Sequence, residues 1–372
     1  MRREQPASAL VERLSPTSFE ILHECKLRFA FGQQPSRHAF GGTPATRLGT
    51  VCHNVLDEAV RTGILQLEDW RSRIEQLWDS QLAEFTRRER LSDDPARWPG
   101  YQLKRARLFH VAGRIRELLE ALPADTELLT EQPLAAEGGR LYGRPDLIIR
   151  STERHQIIDY KSGGVMDRET NQPRDAYARQ LQLYAFLEHD ASGTWPTSAH
   201  LFPLQGAPVE IDIEAERCSE VAAQALDELA AYNAVVPLTP EANPTPAHCR
   251  WCPHATVCGP FWEACDESWA PTVLAAAGRV TRVFQTPLGG VTVYFDVDSG
   301  SVKEEGLLIK NIDPALHEDT LRAVEGGEVA ATGLVADDRG SGYWLGSAGT
   351  FAASATTEAD GAAQFGQVRN GD

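Results

Sequence analysis

The feature that most constrains the fold of this chain is the segment 141–163, LYGRPDLIIRSTERHQIIDYKSG. Two apolar runs, at 147–149 and 157–158, flank a polar segment, and this pattern is typical of a β-hairpin. Gly143 lies before the first run, and Gly163 and Gly164 follow the second. Glycine lets a neighbouring backbone or ligand approach closely. The segment therefore predicts a hairpin with room for another group at its open end.

Three charged residues lie on this predicted hairpin. Asp146 enters the first strand, and Asp159 and Lys161 end the second, where they share a face because side chains alternate along a strand. Two carboxylates and an ammonium on adjacent strands can hold a divalent cation, which would polarise a phosphodiester and lower the pKa of a bound water. The alternative is a solvated salt-bridge ladder. Charges that end an apolar run favour the functional interpretation.

Length and composition indicate a globular protein with two domains, since the chain has 372 residues and is 42% hydrophobic. No apolar run approaches the roughly 18 residues that a membrane span needs. The first residues lack the apolar core of a signal peptide. We therefore expect a cytoplasmic protein.

The seven cysteines form an odd count in a long chain, which favours a metal site or free thiols over a disulfide scaffold. Cys249, Cys252 and Cys258 form a C-x2-C-x5-C pattern, and three thiols this close predict metal binding. Tetrahedral zinc or a cubane cluster needs a fourth ligand. The candidates are Cys25, which is distant in sequence, and Cys265, which is near.

A basic stretch contrasts with the formal net charge of −17. Trp98, Tyr101 and Phe109 are interleaved with its cations, so it could follow a phosphate backbone and stack on bases. The alternative is a solvated helical face with core aromatics, and the sequence leaves both open. The basic residues are Arg87, Arg88, Arg90, Arg97, Lys104, Arg105, Arg107, Arg114 and Arg116.

The residues before the hairpin are predicted to be largely helical. We predict one helix over 11–31, starting at Ser15 or Thr17 with Glu20 as capping partner, and then a loop over 32–47. The next helix starts at Gly49 and places His53 in its first turn. By itself, His53 suits a packed or surface position as well as a ligand, and Cys52 suits the core. Residues 65–122 are predicted to be helical with a break at 94–100.

The residues after the hairpin read as a helix over 176–189, strands over 200–208 and 209–213, and a helix over 215–234. Gln180 and Tyr184 are four residues apart and therefore share a face of the first helix. Taken alone, this pair also suits an ordinary amphipathic helix.

The C-terminal part changes to short alternating runs rich in Val, Gly and Thr over 279–356, with a hairpin turn at Gly289 and Gly290. Several strands and one short helix over 317–324 favour a small OB-like barrel. The barrel could bind single strands, another protein, or gate the substrate. The predicted domains are 1–268 and 269–356, followed by a disordered tail over 357–372.

The motif G-R-P-D followed by I-I-D-Y-K-S-G resembles the core of the PD-(D/E)XK nucleases, in their RecB-like branch. Gly49, Thr50 and His53 match the branch pattern G-T-x-x-H. The resemblance implies an α/β fold with a mixed sheet flanked by helices. It also implies site roles: His53, Asp146 and Asp159 would bind Mg²⁺ or Mn²⁺, Lys161 would orient or activate water, Gln180 and Tyr184 would position the strand, and Glu131 would lie behind the site.

The same resemblance extends to the cysteines. Some RecB-like nucleases, including the AddB nuclease domain and CRISPR-associated adaptation exonucleases, carry a 4Fe-4S cluster held by one cysteine before the core and three after it. This implies Cys25, Cys249, Cys252 and Cys258 as ligands, with zinc as the alternative. Cys218 and Cys265 would then be free thiols.

The implied function is metal-dependent DNA hydrolysis, most simply by an exonuclease acting on single strands or ends in repair, recombination or defence. The alternative is a non-catalytic DNA-binding or scaffold subunit of a helicase-nuclease complex. The sequence has no G-x-x-x-x-G-K-[ST] motif, so any unwinding would come from a helicase partner.

Overall fold

The computed structural model describes residues 6–34, 43–89, 94–167, 169–287, 289–314, 317, 322–338, 340 and 342–354. The chain divides by its internal contacts at Asn243 and Pro244 into two units. Residues 6–243 form the first unit, which contains the hairpin, and the second begins at residue 244. The expected domain boundary at 268 and 269 stays a prediction. Cys249, Cys252 and Cys258 belong to the second unit of this division.

Helices precede, interrupt and follow a sheet in the first unit. The helices are α1 (Pro16–Glu24), α2 (Lys26–Gln33), α3 (Pro44–Arg61), α4 (Trp70–Arg88), α5 (Tyr101–Glu120), α6 (Asp175–Ser192) and α7 (Ala215–Asn233). The strands are β1 (Glu127–Thr130), β2 (Leu134–Ala136), β3 (Leu141–Gly143), β4 (Leu147–Arg150), β5 (His155–Lys161), β6 (Ser198–Pro203) and β7 (Val209–Ile211). In both units, no helix of the described residues is long and apolar enough to cross a bilayer.

The predicted hairpin is confirmed as β4 and β5, which pair antiparallel with Leu147 opposite Ile158. It forms the middle of a five-stranded sheet in the order β1-β4-β5-β6-β7. The β5–β6 pair is parallel, so the sheet is mixed, as expected. The interior of β5 is buried, because helices cover the sheet. The strands predicted at 200–208 and 209–213 are observed as β6 and β7. Both are shorter than predicted, and β6 begins earlier than predicted.

The prediction of one continuous helix over 11–31 is wrong, because the structure has two helices there. Cys25 has extended backbone angles (φ −161°, ψ 109°) and separates α1 from α2, with its thiol capping the second helix. Ser15 caps α1 as expected, and Pro16 follows it. The predicted capping role of Glu20 is also wrong, because its carboxylate pairs with Arg179 at 2.5 Å.

The start of α3 also differs from the prediction. Thr43 caps the helix and Pro44 occupies its first turn, so α3 begins five residues before Gly49. His53 therefore lies in the middle of the helix rather than in its first turn. The predicted break near 94–100 agrees with the structure. The helices predicted at 176–189 and 215–234 are observed as α6 and α7.

A buried carboxylate fixes α6 against the hairpin. Glu188 on α6 is fully buried and accepts hydrogen bonds from Arg150 Nε (2.7 Å) and Nη2 (2.9 Å). His155 Nε2 lies 2.7 Å from the same carboxylate. These contacts join the strands at their turn to the last part of α6. Since a buried charge is stable only when it is paired, they determine how far along the sheet the helix lies.

Gly143 allows the other close approach of α6. A Cβ atom at this position would lie 2.8 Å from Tyr184 Cε1 and 3.2 Å from Leu187 Cδ1. Pro16 Cδ would be equally near, at 3.2 Å. The glycine of the G-R-P-D motif therefore lets α6 and the start of α1 pack onto the end of β3.

The second unit is built around a barrel, after short helices α8 (Pro246–Cys249) and α9 (Gly259–Ala264). The barrel strands are β8 (Ala275–Gln285), β9 (Val291–Gly300), β10 (Gly306–Ile312), β11 (Glu328–Ala336) and β12 (Tyr343–Ser354). They close in the order β10-β12-β11-β8-β9. Only β10 and β12 pair in parallel among the described strands of this barrel. The predicted OB-like fold is confirmed.

The predicted turn at Gly289 and Gly290 joins β8 to β9, and Gly289 has a φ of 86°. The predicted short helix over 317–324 lies largely outside the described residues, and the tail predicted over 357–372 lies wholly outside them.

We expect Gly143→Ala to lower the free energy of unfolding by about 1–3 kcal/mol, because the added methyl group overlaps Tyr184 and Leu187. Urea titration followed by circular dichroism would measure the change. Gly164→Ala is the matched control, since a Cβ there meets nothing within 4 Å. Equal stability of both variants would show that the close approach of α6 is not required.

Candidate active site

The carboxylates predicted from the hairpin lie on adjacent strands at one end of the sheet. Asp146 immediately precedes β4, and Asp159 lies on β5; they are 8% and 3% exposed. The backbone N–H of Tyr160 donates to Asp146 Oδ2 at 2.5 Å, which fixes the orientation of this carboxylate. Two negative charges are therefore held in a largely buried position.

Lys161 and Gln180 form a network with Asp159. The Lys161 ammonium lies 2.6 Å from Asp159 Oδ2 and donates to Gln180 Oε1 at 2.8 Å. Gln180 Nε2 donates in turn to Asp159 Oδ1 at 3.3 Å. The shared face predicted for Asp159 and Lys161 is thus observed, and α6 covers it. The network holds the ammonium in one position beside the carboxylates.

Burial raises the pKa of Asp159 to about 6. The neighbouring Lys161 opposes this shift, and the negative charge of Asp146 adds to it. A carboxyl group with a raised pKa in this position is the expected consequence of placing two acids close together with little solvent.

His53 reaches the same end of the sheet from α3. Its Nδ1 lies 3.6 Å from Asp146 Oδ1. Burial lowers the pKa of His53, but hydrogen bonding to Asp146 and the charges of Asp146 and Asp159 outweigh burial, so the pKa is raised overall. Gly49 allows this approach of α3, because a Cβ there would lie 2.7 Å from Ser162 Oγ. The glycine of the G-T-x-x-H pattern therefore lets α3 pack closely against Ser162.

Glu131 also lies near the site, directly after β1. Its backbone is in the left-handed region (φ 48°), and its N–H donates to the Asp146 carbonyl at 3.3 Å. Burial raises the pKa of Glu131 to about 7, and the charges of Asp146 and Asp57 contribute in the same direction. Glu131 is thus a further acid beside the predicted residues.

Tyr184 and Tyr177 line α6 next to Gln180. Tyr184 is buried, as Gln180 is, and burial raises its pKa. The Lys161 Nζ lies 4.8 Å from the centroid of the Tyr177 ring, a cation–π distance. The sequence prediction missed Tyr177. Its spacing of three residues before Gln180 could have identified it, because such residues share a helix face.

Asp57 and Tyr160 are two further polar groups that the sequence prediction missed. Asp57 Oδ1 and the Tyr160 hydroxyl are buried, and neither has a hydrogen-bond partner in the described part of the chain. Burial raises the pKa of Tyr160, and the negative charge of Asp57 adds to this shift, as it does for Glu131. Asp57 follows His53 by four residues, so the helical period alone places it on the same face.

The residues present fit a hard divalent cation by their chemistry. Asp146 and Asp159 offer the carboxylate oxygens that Mg²⁺ and Mn²⁺ prefer, and His53 adds an imidazole nitrogen beside them. Asp159 Oδ2 is buried and accepts no hydrogen bond within the described residues, although Lys161 is at ion-pair distance. As arranged, no three His, Cys, Asp or Glu side chains of the described residues form a metal-holding group.

The predicted cluster cysteines lie in different units. Cys25 is in the first unit, where its thiol accepts from the N–H groups of Arg28 and Asn243, both at 3.5 Å. In the second unit, Cys249, Cys252 and Cys258 are half-buried and pack against an apolar cluster that includes Phe261, Trp262 and Trp269. Cys265 belongs to that cluster, whereas Cys52 and Cys218 are buried in the first unit.

We expect the affinity for Mn²⁺ to increase between pH 5.5 and pH 7.5. Below the raised pKa of Asp159 (about 6), protons compete with the cation for its carboxylate oxygens, and below the pKa of Glu131 (about 7) this neighbouring acid loses the negative charge that attracts the cation. Titration calorimetry at several pH values would measure the affinity. Asp167→Asn, which changes a half-buried loop carboxylate, should leave the dependence intact. An affinity independent of pH would contradict the assignment of these acids to the site.

Comparison with known proteins identifies the superfamily of the chain. No curated protein matches the sequence. Among solved structures, a protein of Eubacterium rectale described as a "putative exonuclease" is 10% identical, with a TM-score of 0.37 over 62% of this chain and 84% of its own. The protein designated SSO0001 is 14% identical, with a TM-score of 0.26 over 65% and 94%. A model of the PD-(D/E)XK nuclease superfamily matches residues 13–259. Because this match spans well over half of the 372 residues, the chain belongs to the PD-(D/E)XK nuclease superfamily.

Proposed function

We propose that this protein is a metal-dependent DNA nuclease of the RecB-like branch that hydrolyses phosphodiester bonds. The observation that carries the proposal is the position of the Lys161 ammonium, which Asp159 and Gln180 hold beside Asp146 at the end of the sheet. A half-buried ammonium paired with a buried carboxylate is costly to fold. Such an arrangement is typical of sites where charge is used in a reaction.

Each residue of the site has a role in this proposal. His53, Asp146 and Asp159 would hold Mg²⁺ or Mn²⁺, which supplies polarisation of the phosphate and activation of water. Lys161 would orient the attacking water, and Gln180 keeps the ammonium in place. Tyr184 supports Gln180 on α6, and the half-buried Tyr177 ring lies against the Lys161 ammonium.

We propose DNA single strands or DNA ends as the substrate class, and exonucleolytic cleavage in repair, recombination or defence as the role, in the cytoplasm. The barrel supports a nucleic-acid substrate. Phe284, Tyr294 and Trp344 are 49%, 38% and 40% exposed on its outer surface. The Lys310 ammonium lies 5.8 Å from the Trp344 ring centroid and is paired with Asp337 at 2.5 Å. Exposed aromatic rings suit base stacking. A helicase partner would supply unwinding.

We expect Lys161→Ala to abolish cleavage of end-labelled linear DNA in Mn²⁺ while DNA binding is largely kept, because the ammonium acts on the reaction rather than on the overall charge. Gel assays of single- and double-stranded DNA, linear and circular, would measure cleavage, polarity and dependence on ends. Lys303→Ala, at an exposed lysine of the second unit, is the matched control. Wild-type cleavage rates in Lys161→Ala would contradict the site assignment.

The competing function is a DNA-binding scaffold subunit without catalysis. Binding by the wild type without cleavage, with or without a helicase, would favour it. The presence of Asp146, Asp159 and Lys161 together argues against it, because a site released from catalysis would gain stability by losing its buried charges.

For the cysteines, we propose the 4Fe-4S cluster that the sequence resemblance implies, with zinc as the competing metal. The spacing of Cys249, Cys252 and Cys258 and their packing against one apolar cluster support metal binding in the second unit. The assignment of Cys25 as fourth ligand rests on the resemblance.

We expect anaerobically purified protein to be brown and to contain iron and acid-labile sulfide, and Cys252→Ser to lose both. Cys218→Ser is the matched control, because this thiol is buried in α7. Loss of iron in Cys25→Ser but not in Cys265→Ser would identify the fourth ligand. Colourless protein with stoichiometric zinc would overturn the cluster in favour of the zinc form.

A further inference from the structure

The basic stretch of the sequence is largely neutralised within the fold. Most of its described arginines bind carboxylates or carbonyls of neighbouring residues. Trp98 is buried, and Tyr101 accepts a hydrogen bond from Trp78 Nε1 at 3.0 Å, so both aromatics serve packing. The paired arginines are Arg87 with Glu84, Arg88 with Glu89, Arg105 with Glu75, Arg114 with the Gly206 carbonyl, and Arg116 with Glu120. These residues do not form a continuous phosphate-binding surface.

Lys104 on α5 differs from them by its position next to the site. Its ammonium donates to the carbonyl oxygen of Ser162 at 2.5 Å. Ser162 directly follows Lys161, so this ammonium lies at the end of the strand that carries the catalytic groups. It is half-buried, and its hydrogen-bond partner among the described residues is this carbonyl oxygen rather than a carboxylate.

Arg107 adds a second positive charge beside Lys104. The two residues are three apart on α5 and therefore lie on the same face. Burial lowers the pKa of Lys104, and the charge of Arg107 lowers it further, whereas the Cys52 thiol opposes the shift. Arg107 is half-buried and also has no carboxylate at ion-pair distance within the described residues. Two close cations without an anion repel each other, and an anionic ligand between them would remove this repulsion.

We propose that Lys104 and Arg107 form a binding subsite for a backbone phosphate of the DNA strand, next to the phosphate that is cleaved. The proposal rests on the proposed nuclease function and specifies where the substrate runs, from the end of β5 toward α5. Lys104 donates one hydrogen bond to the Ser162 carbonyl oxygen. An ammonium has three donors, so others remain for phosphate oxygens. Arg107 provides a planar guanidinium that can bind the same phosphate through two hydrogen bonds.

The test is the salt dependence of binding to a labelled single-stranded oligonucleotide, measured by fluorescence anisotropy in EDTA, where cleavage does not interfere. Each phosphate contact to a single strand contributes about 0.7 to the slope of log K against log salt concentration. We expect Lys104→Gln and Arg107→Gln each to reduce the slope by about 0.7, and the double variant by about 1.4. In Mn²⁺, both should raise KM with little change in kcat.

Arg105→Gln is the matched control, because it removes the same charge from the same helix at an arginine already paired with Glu75. Unchanged slopes in the Lys104 and Arg107 variants would overturn the subsite, as would an equal reduction in all three. Glutamine at 104 can still donate to the Ser162 carbonyl, so a purely structural role of Lys104 predicts a normal slope. Cleavage by wild type with unchanged variant slopes would refute the subsite alone, whereas wild type that neither binds nor cleaves DNA would refute both proposals.

Discussion

The packing of α6 against the β4–β5 hairpin is the constraint on which the site depends. At one end of the helix, the buried Glu188 binds Arg150 and His155 and fixes the helix along the sheet. Nearer the site, Gly143 removes the side chain that would keep Tyr184 away. Between these contacts and the helix start, Gln180 meets Lys161 and Asp159. A shift of α6 by one residue would break all of these contacts together, since they lie on one rigid helix.

The site itself is destabilising for the fold. Asp146 and Asp159 are close and buried, Glu131 has a raised pKa, and Lys161 is the cation that directly contacts this group of acids. Burial makes each of these charges expensive, and the Lys161 ammonium at 2.6 Å from Asp159 Oδ2 offsets only part of this cost. The surrounding helices must therefore provide the stability that the site lacks, and the Glu188 contacts are one such source.

The sequence predicted what is determined locally. Alternating or periodic apolar residues were sufficient to predict β4, β5, α6 and the barrel strands, because burial of one face depends on the sequence period. It failed where a distant partner decides the structure. Glu20 would suit a helix cap, but Arg179 lies 159 positions away and binds it instead. Cys25 lies in an apolar periodic segment, and its extended backbone nevertheless interrupts the helix.

The same distinction explains why charge composition was a poor guide to the substrate. The net charge of −17 argues against nucleic acid, and the basic run over 87–116 argues for it, yet neither count considers pairing. In the fold, carboxylates such as Glu75 and Glu84 neutralise arginines of that run. A phosphate responds to the charge that remains unpaired near the reacting atoms, because screening in solution weakens the field of more distant charges. Among the described residues, Lys104 beside the end of β5 and Arg107 on the same face of α5 have no carboxylate at ion-pair distance, so cations can face a phosphate in an acidic protein.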